Sequence, residues 1–146
     1  MEILIKKATE QDFPQVYALI KEFAIFIKTP EKVAITLPQM LSDKDYFQCF
    51  VAIDGEKVIG FATWFFAYYS WSGKSVYLDD LYVQPEYRGK NIGTRLMDAV
   101  IDIAREAGCK KVRWQVSNWN KDAIAFYQHR GAQIDEVEIN CDLPLV

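Results

Sequence analysis

Apolar positions recur along the chain with two different periods, and the change from one to the other marks out its elements. Residues 3–6 form a short apolar run with a charged end, which reads as a first strand. Phe13, Val16, Tyr17, Ile20, Phe23, Ala24 and Ile27 then return at helical spacing, the single apolar stripe of an amphipathic helix. Thr9 and Asp12 both suit its cap. Pro14 fits best if the helix starts at Asp12, because proline is tolerated only in a first turn. A weaker helical piece covers residues 32–41.

A β-rich block follows. Residues 47–53 and 58–69 are β-branched and aromatic, and Asp54-Gly55 between them is a strong short hairpin signal. Residues 70–74 make another turn and 76–83 a further strand. Ile92, Leu96, Val100, Ile103 and Ala107 then define a helix closed by Gly108. Residues 111–116 read as a strand, 120–129 as a helix ending near Gly131, and 136–141 as a last strand. The order β-α-α-β-β-β-α-β-α-β puts antiparallel hairpins first and helical crossovers later. The expected fold class is therefore α/β: a mixed, mostly antiparallel sheet flanked by about four helices. No linker, repeat or low-complexity tract interrupts the 146 residues, so one domain over 1–146 is expected.

Composition narrows the function classes. Half the residues are hydrophobic (51%) and a quarter charged (25%), an ordinary globular balance. A net charge of −3 argues against a nucleic-acid binder, which would carry a clustered basic face. Cys49, Cys109 and Cys141 are odd in number and widely spaced, and His129 is the only histidine. No metal site and no disulfide framework is expected, only free thiols of a reducing compartment. The opening residues meet Lys6-Lys7 at once, without an export-signal pattern, and no apolar run is long enough to span a bilayer. A cytoplasmic protein with no membrane partner is expected.

The most informative stretch runs from Tyr77 to Thr94. It reads as a strand, a turn, a loop carrying Arg88, Gly89, Lys90, Asn91 and Gly93, and the first turn of a helix at Ile92 and Thr94. Such a loop aims several backbone N–H groups at one point, near the positive end of a helix dipole, and so makes a socket for a phosphate-bearing ligand. Arg88 can meet phosphate as a bidentate donor, while glycines let the backbone approach closely. The patterns of phosphate-loop hydrolases and of dinucleotide binders are both missing.

Leu78 through Val83, with Pro85, Arg88-Gly89 and Ile92-Gly93, resembles the acetyl-coenzyme A signature of the GNAT superfamily of N-acyltransferases. Asn120 through Ala132 is similar to that family's second signature, and within the family the chain looks most like the diamine and thialysine acetyltransferase group. The resemblance implies the GNAT fold and transfer of acetyl from acetyl-CoA to a small primary amine: a lysine analogue, a diamine or a polyamine. It also implies roles for residues. Tyr127 resembles the tyrosine that protonates the departing thiolate, and a phenol can do so without first being ionised. Asp79 stands where relatives carry the carboxylate that deprotonates the amine. Backbone N–H groups of Leu81, Tyr82 and Val83 resemble those holding the thioester and pantetheine, and Asn120 is the side-chain contact to that arm. Glu22, Trp71, Asp79 and Asp80 are the expected acceptor contacts. The family usually has glycine where Asn91 stands, and Asn is the next most tolerant residue of a left-handed backbone. Asp79 and Asp80 should point to opposite faces of their strand unless it bulges. Relatives that pair through aromatic strands imply a homodimer. Two alternatives stay open: a protein or peptide acceptor, and a non-catalytic acyl-CoA-binding module.

Overall fold

The computed structural model describes residues 2–145, which fall into two compact units divided between Gln115 and Val116. The first unit holds a five-stranded sheet in the order β1-β2-β3-β4-β5: β1 Ile3–Lys7, β2 Gln48–Asp54, β3 Lys57–Tyr69, β4 Gly73–Val83 and β5 Val112–Arg113. The first three pairings are antiparallel and the last is parallel, so the sheet is mixed, as expected. Gly55, at φ +63°, supplies the left-handed backbone that the tight β2–β3 turn requires. Helices α1 (Phe13–Phe26), α2 (Leu37–Ser42) and α3 (Ile92–Glu106) complete this unit. The second unit holds α4 (Lys121–His129). No helix is long and apolar enough to cross a membrane among the described residues.

Both candidate caps of the first helix are used, for different turns. Thr9 precedes a 3-10 turn over Glu10–Asp12 and donates its backbone N–H to Asp12 Oδ2 at 2.8 Å. Asp12 then precedes α1, which places Pro14 in the first turn. Phe13, Val16 and Leu19 of α1 pack with Met40 of α2 against Val51, Ile53, Val58, Phe61 and Tyr82 on one face of the sheet. Buried Ile92, Leu96, Met97, Val100 and Ala104 form the inner stripe of α3, which covers the opposite face. Burying one such leucine contributes roughly 2–3 kcal/mol.

Two strand expectations change. The run expected over 111–116 shrinks to Val112–Arg113, paired with Val76 and Tyr77. Residues 136–141 form no strand: Val137 and Ile139 stand 84% and 83% exposed, with no ladder partner. Alternation of apolar residues marks a segment able to join a sheet, but a strand exists only where a neighbouring edge satisfies its backbone. All three cysteines are free; Cys49 is buried and Cys141 exposed.

Gly60 on β3 lies close against Leu96 of α3. A Cβ there would sit 2.9 Å from the Tyr82 carbonyl oxygen and 3.3 Å from Leu96 Cδ1, so even alanine must displace backbone. Gly60→Ala is expected to cost about 2–3 kcal/mol, the usual penalty of overpacking. Urea unfolding checks this, and a midpoint equal to that of the parent chain would show that the contact yields freely.

Candidate active site

The ladder between β3 and β4 slips by one residue beside the acidic pair. Thr63 lies opposite Asp80 and Trp64 opposite Leu78, so Asp79 is an extra residue on β4, a β-bulge. The alternation that would send the two carboxylates to opposite faces is thereby broken. Asp79 and Asp80 open onto one cavity of about 270 Å³, walled by Ile20 of α1 and by Ile35, Met40 and Phe47. Thr63, also in its lining, steadies the bulge by accepting the Asp80 backbone N–H on its Oγ1 at 3.0 Å. Burial raises both carboxyl pKa values, and that of Asp80, further raised by the neighbouring Asp79 charge, reaches about 7. Asp80 thus sits near its protonation midpoint at neutral pH beside a second carboxylate, an arrangement suited to attracting a cation and to accepting a proton.

The other end of β4 is built differently. Because β5 pairs only with Val76 and Tyr77, the outer edge of β4 from Leu78 to Val83 has no strand beside it among the described residues. Asp80 and Gln84 donate their N–H groups towards β3, to Thr63 Oγ1 and to the Ile59 carbonyl at 2.9 Å. Alternation then turns the N–H groups of Leu81 and Val83 to the open edge and that of Tyr82 to β3. Of the three donors expected to hold a thioester arm, two face the free edge.

The phosphate-type loop follows directly. Tyr87 donates its hydroxyl to Asp54 Oδ2 at 2.6 Å, tying the loop's start to the β2–β3 turn. Gly89 adopts φ +78° and Asn91 φ +64°, so Asn91 does occupy the left-handed region just ahead of α3. A Cβ at Gly89 would meet nothing within 4 Å, so conformation rather than space calls for glycine there. The first amide past Arg88 to find a protein acceptor is that of Arg95, which donates to the Asn91 carbonyl at 3.0 Å. The N–H groups of Gly89, Lys90, Asn91, Ile92, Gly93 and Thr94 therefore find no acceptor among the described residues and form an open cradle at a helix N-terminus. Arg88 spends its Nε on the Val83 carbonyl at 2.9 Å and lays its guanidinium 4.6 Å over the Phe26 ring, which leaves its terminal nitrogens for a ligand.

In the second unit, Asn120 caps α4 by accepting the Ala123 N–H on its side chain at 3.3 Å. Tyr127 is the buried residue of that helix, 8% exposed, with its ring edge against Phe126 at 5.4 Å between centroids.

Two expected acceptor contacts lie outside the acidic cavity. Trp71, in the turn between β3 and β4, is fully exposed. The Glu22 carboxylate is engaged by Tyr82 and Gln84 rather than facing the cavity. Sequence reasoning missed Asp43 and Tyr46, which do line it. Asp43, whose carboxylate accepts from Gln39 at 3.1 Å, closes α2, and an acid or tyrosine just after a short helix looks no different from a cap or a solvated loop.

Comparison with known proteins agrees with this geometry. The sequence profile of the acetyltransferase (GNAT) family matches residues 13–132. A thialysine N-epsilon-acetyltransferase of Mus musculus is 36% identical over 141 residues, covering 88% of this chain and 83% of that one. A spermidine/spermine N(1)-acetyltransferase-like protein of Homo sapiens is 32% identical over 139 residues, covering 88% of this chain and 20% of its own. Among solved structures, an aminoglycoside acetyltransferase from an uncultured soil metagenomic sample superposes with a TM-score of 0.77 at 25% identity, covering 97% of both chains. With a profile match over most of its length and relatives above 30% identity, the chain belongs to the GNAT family of acetyltransferases, enzymes whose acyl donor is acetyl-CoA.

Proposed function

We propose that this enzyme transfers the acetyl group of acetyl-CoA directly to a small primary amine that carries positive charge, a lysine analogue, diamine or polyamine. The observation that carries the reading is the bulge at Asp79, because it turns two carboxylates into one apolar cavity instead of one. An ammonium group is drawn there by charge and gives its proton to the acid pair. The neutral amine then attacks the thioester carbonyl, and the carbon–sulfur bond breaks as the carbon–nitrogen bond forms. Asp79, at the exposed mouth, is the proton acceptor, reached through water, and Asp80 beneath it keeps the pair's affinity for a proton near neutrality. On the family resemblance Tyr127 gives its phenol proton to the departing thiolate, and the proton that the nitrogen sheds as the amide forms restores the phenol. The relatives' names, thialysine and spermidine/spermine acetyltransferases, support a small cationic acceptor over a protein one.

The donor's diphosphate fits the open amides of residues 89–94 with Arg88 beside them. Its pantetheine arm fits the free edge at Leu81 and Val83. The role of Asn120 as a side-chain contact to that arm rests on the family resemblance. One oxyanion-type donor of this kind is worth ~3 kcal/mol where it has been removed in other enzymes. The family profile runs across the division between the two units, which supports reading residues 1–146 as one catalytic domain. A cytoplasmic setting rests on the three free thiols. A homodimer rests on apolar surface at Phe65, Phe66 and Tyr68, exposed on β3.

Removing the Asp79 charge withdraws one cause of the raised Asp80 pKa. Asp79→Asn is expected to lower kcat/KM by about 10²-fold and to move the acidic limb of its pH profile, near 7 in the parent enzyme, to lower pH. A limb that stays in place would take Asp79 out of the pair. Tyr127→Phe is expected to reduce kcat by about 10²-fold with coenzyme A affinity within roughly twofold, measured by thiol release and calorimetry; normal turnover would remove Tyr127 from the chemistry. Asn91→Gly relieves the left-handed backbone of a side chain and is expected to bind acetyl-CoA at least as tightly as the parent, whereas a large calorimetric loss would contradict the cradle.

A further inference from the structure

The residue expected to touch the acceptor, Glu22, is placed for another task. It sits half-buried on α1, and its Oε2 accepts the Tyr82 hydroxyl at 2.6 Å, within the range of a charge-assisted hydrogen bond. Its Oε1 accepts from the Gln84 amide at 3.3 Å. Tyr82 is 4% exposed and stacked on Phe23, ring centroids 5.0 Å apart and 19° from parallel. Burial and the Glu22 carboxylate push its phenol well above the usual range, so it stays a donor at any working pH. Above the same ring, at 5.5 Å, lies the Arg88 guanidinium, whose Nε holds the Val83 carbonyl.

Three consecutive residues at the end of β4 are therefore each held by a different tie. Tyr82 is fixed through its side chain by Glu22, Val83 through its carbonyl by Arg88, and Gln84 by both Glu22 and the Ile59 carbonyl. This is the segment whose outer edge has no strand beside it, and an edge without a ladder needs other restraints to keep its donors aimed. Among the described residues Glu22 supplies the carboxylate of this network, and with the ring of Phe23 it ties α1 to β4.

We infer that Glu22 is a positioning residue for the acyl donor: it clamps Tyr82 and Gln84 so that the open edge of β4 at Leu81 and Val83 and the loop at Arg88 keep one geometry. The inference rests on the acetyltransferase reading of that edge. It assigns Glu22 to the donor side of the reaction and withdraws it from the acceptor contacts.

Steady-state kinetics with acetyl-CoA and a diamine, together with calorimetric titration of coenzyme A, separate the roles. Glu22→Ala is expected to raise KM for acetyl-CoA and the coenzyme A Kd together, by about 10-fold, while KM for the diamine stays within twofold. Glu22→Gln, which can still accept from Tyr82, is expected to recover most of that loss. Tyr82→Phe is expected to reproduce the defect, and combining it with Glu22→Ala to add little, because both remove one interaction. A rise confined to the diamine KM would make Glu22 an acceptor contact and overturn the inference. So would a fall in Tm with unchanged KM and Kd, which is the mark of a purely structural role. The coenzyme A titration needs no acceptor, so it still reports on Glu22 if no amine proves to be acetylated.

Discussion

Pairing Thr63 with Asp80 while Trp64 pairs with Leu78 leaves Asp79 outside the ladder, and the acidic cavity depends on that extra residue. In a regular strand one carboxylate of the pair would be lost to the far face, where α3 packs. The bulge instead puts two like charges at one cavity, with Ile20, Met40 and Phe47 nearby to exclude water. Mutual repulsion and desolvation both favour the protonated form, which is how an ordinary aspartate comes to titrate near neutrality. The cost falls on stability, and the long pairing on either side of the bulge, from Gly60–Val83 to Tyr69–Gly73, holds the irregularity in place.

The same strand is used in a second way at its far end. There the pairing is regular on the β3 side and missing on the other, because β5 runs beside β4 for only two residues. Backbone donors left free in this manner are a liability in most sheets and a resource where a ligand lies along the edge. The side-chain ties to that segment come from α1 and from the loop: Glu22 accepts from Tyr82 and Gln84, and the Arg88 guanidinium lies over the Tyr82 ring. One strand thus carries an acid pair at its middle and open backbone donors at its end, with both set by local departures from regular pairing.

How much of this was legible varies with the kind of residue. The stripes of α1, α3 and α4, the Asp54-Gly55 hairpin and the loop of Arg88, Gly89 and Asn91 are local signals that appear where spacing and turn chemistry put them, whereas the weaker helix expected over 32–41 forms only at Leu37–Ser42. Asn91 at φ +64° follows from what that side chain tolerates. Glu22 and Trp71 were not readable in the same way, because an acid or an aromatic at the right distance along the chain says nothing of what lies opposite it. Glu22 meets a tyrosine 60 residues away, and Trp71 meets solvent. Asp43 and Tyr46 line the acidic cavity for an equally non-local reason. Residues 136–141 have the alternation of a strand and pair with none among the described residues, since pattern supplies propensity and not a partner.

By itself the sequence determined the alternation of elements, the phosphate-type loop and the presence of two adjacent acids, because these depend on residues within a few positions of one another. Only the tertiary structure decided that both acids share a cavity, that β4 keeps an open edge, and that Glu22 meets Tyr82 and Gln84. Those outcomes depend on strand register and on which helix face meets which strand, and long-range pairing sets both.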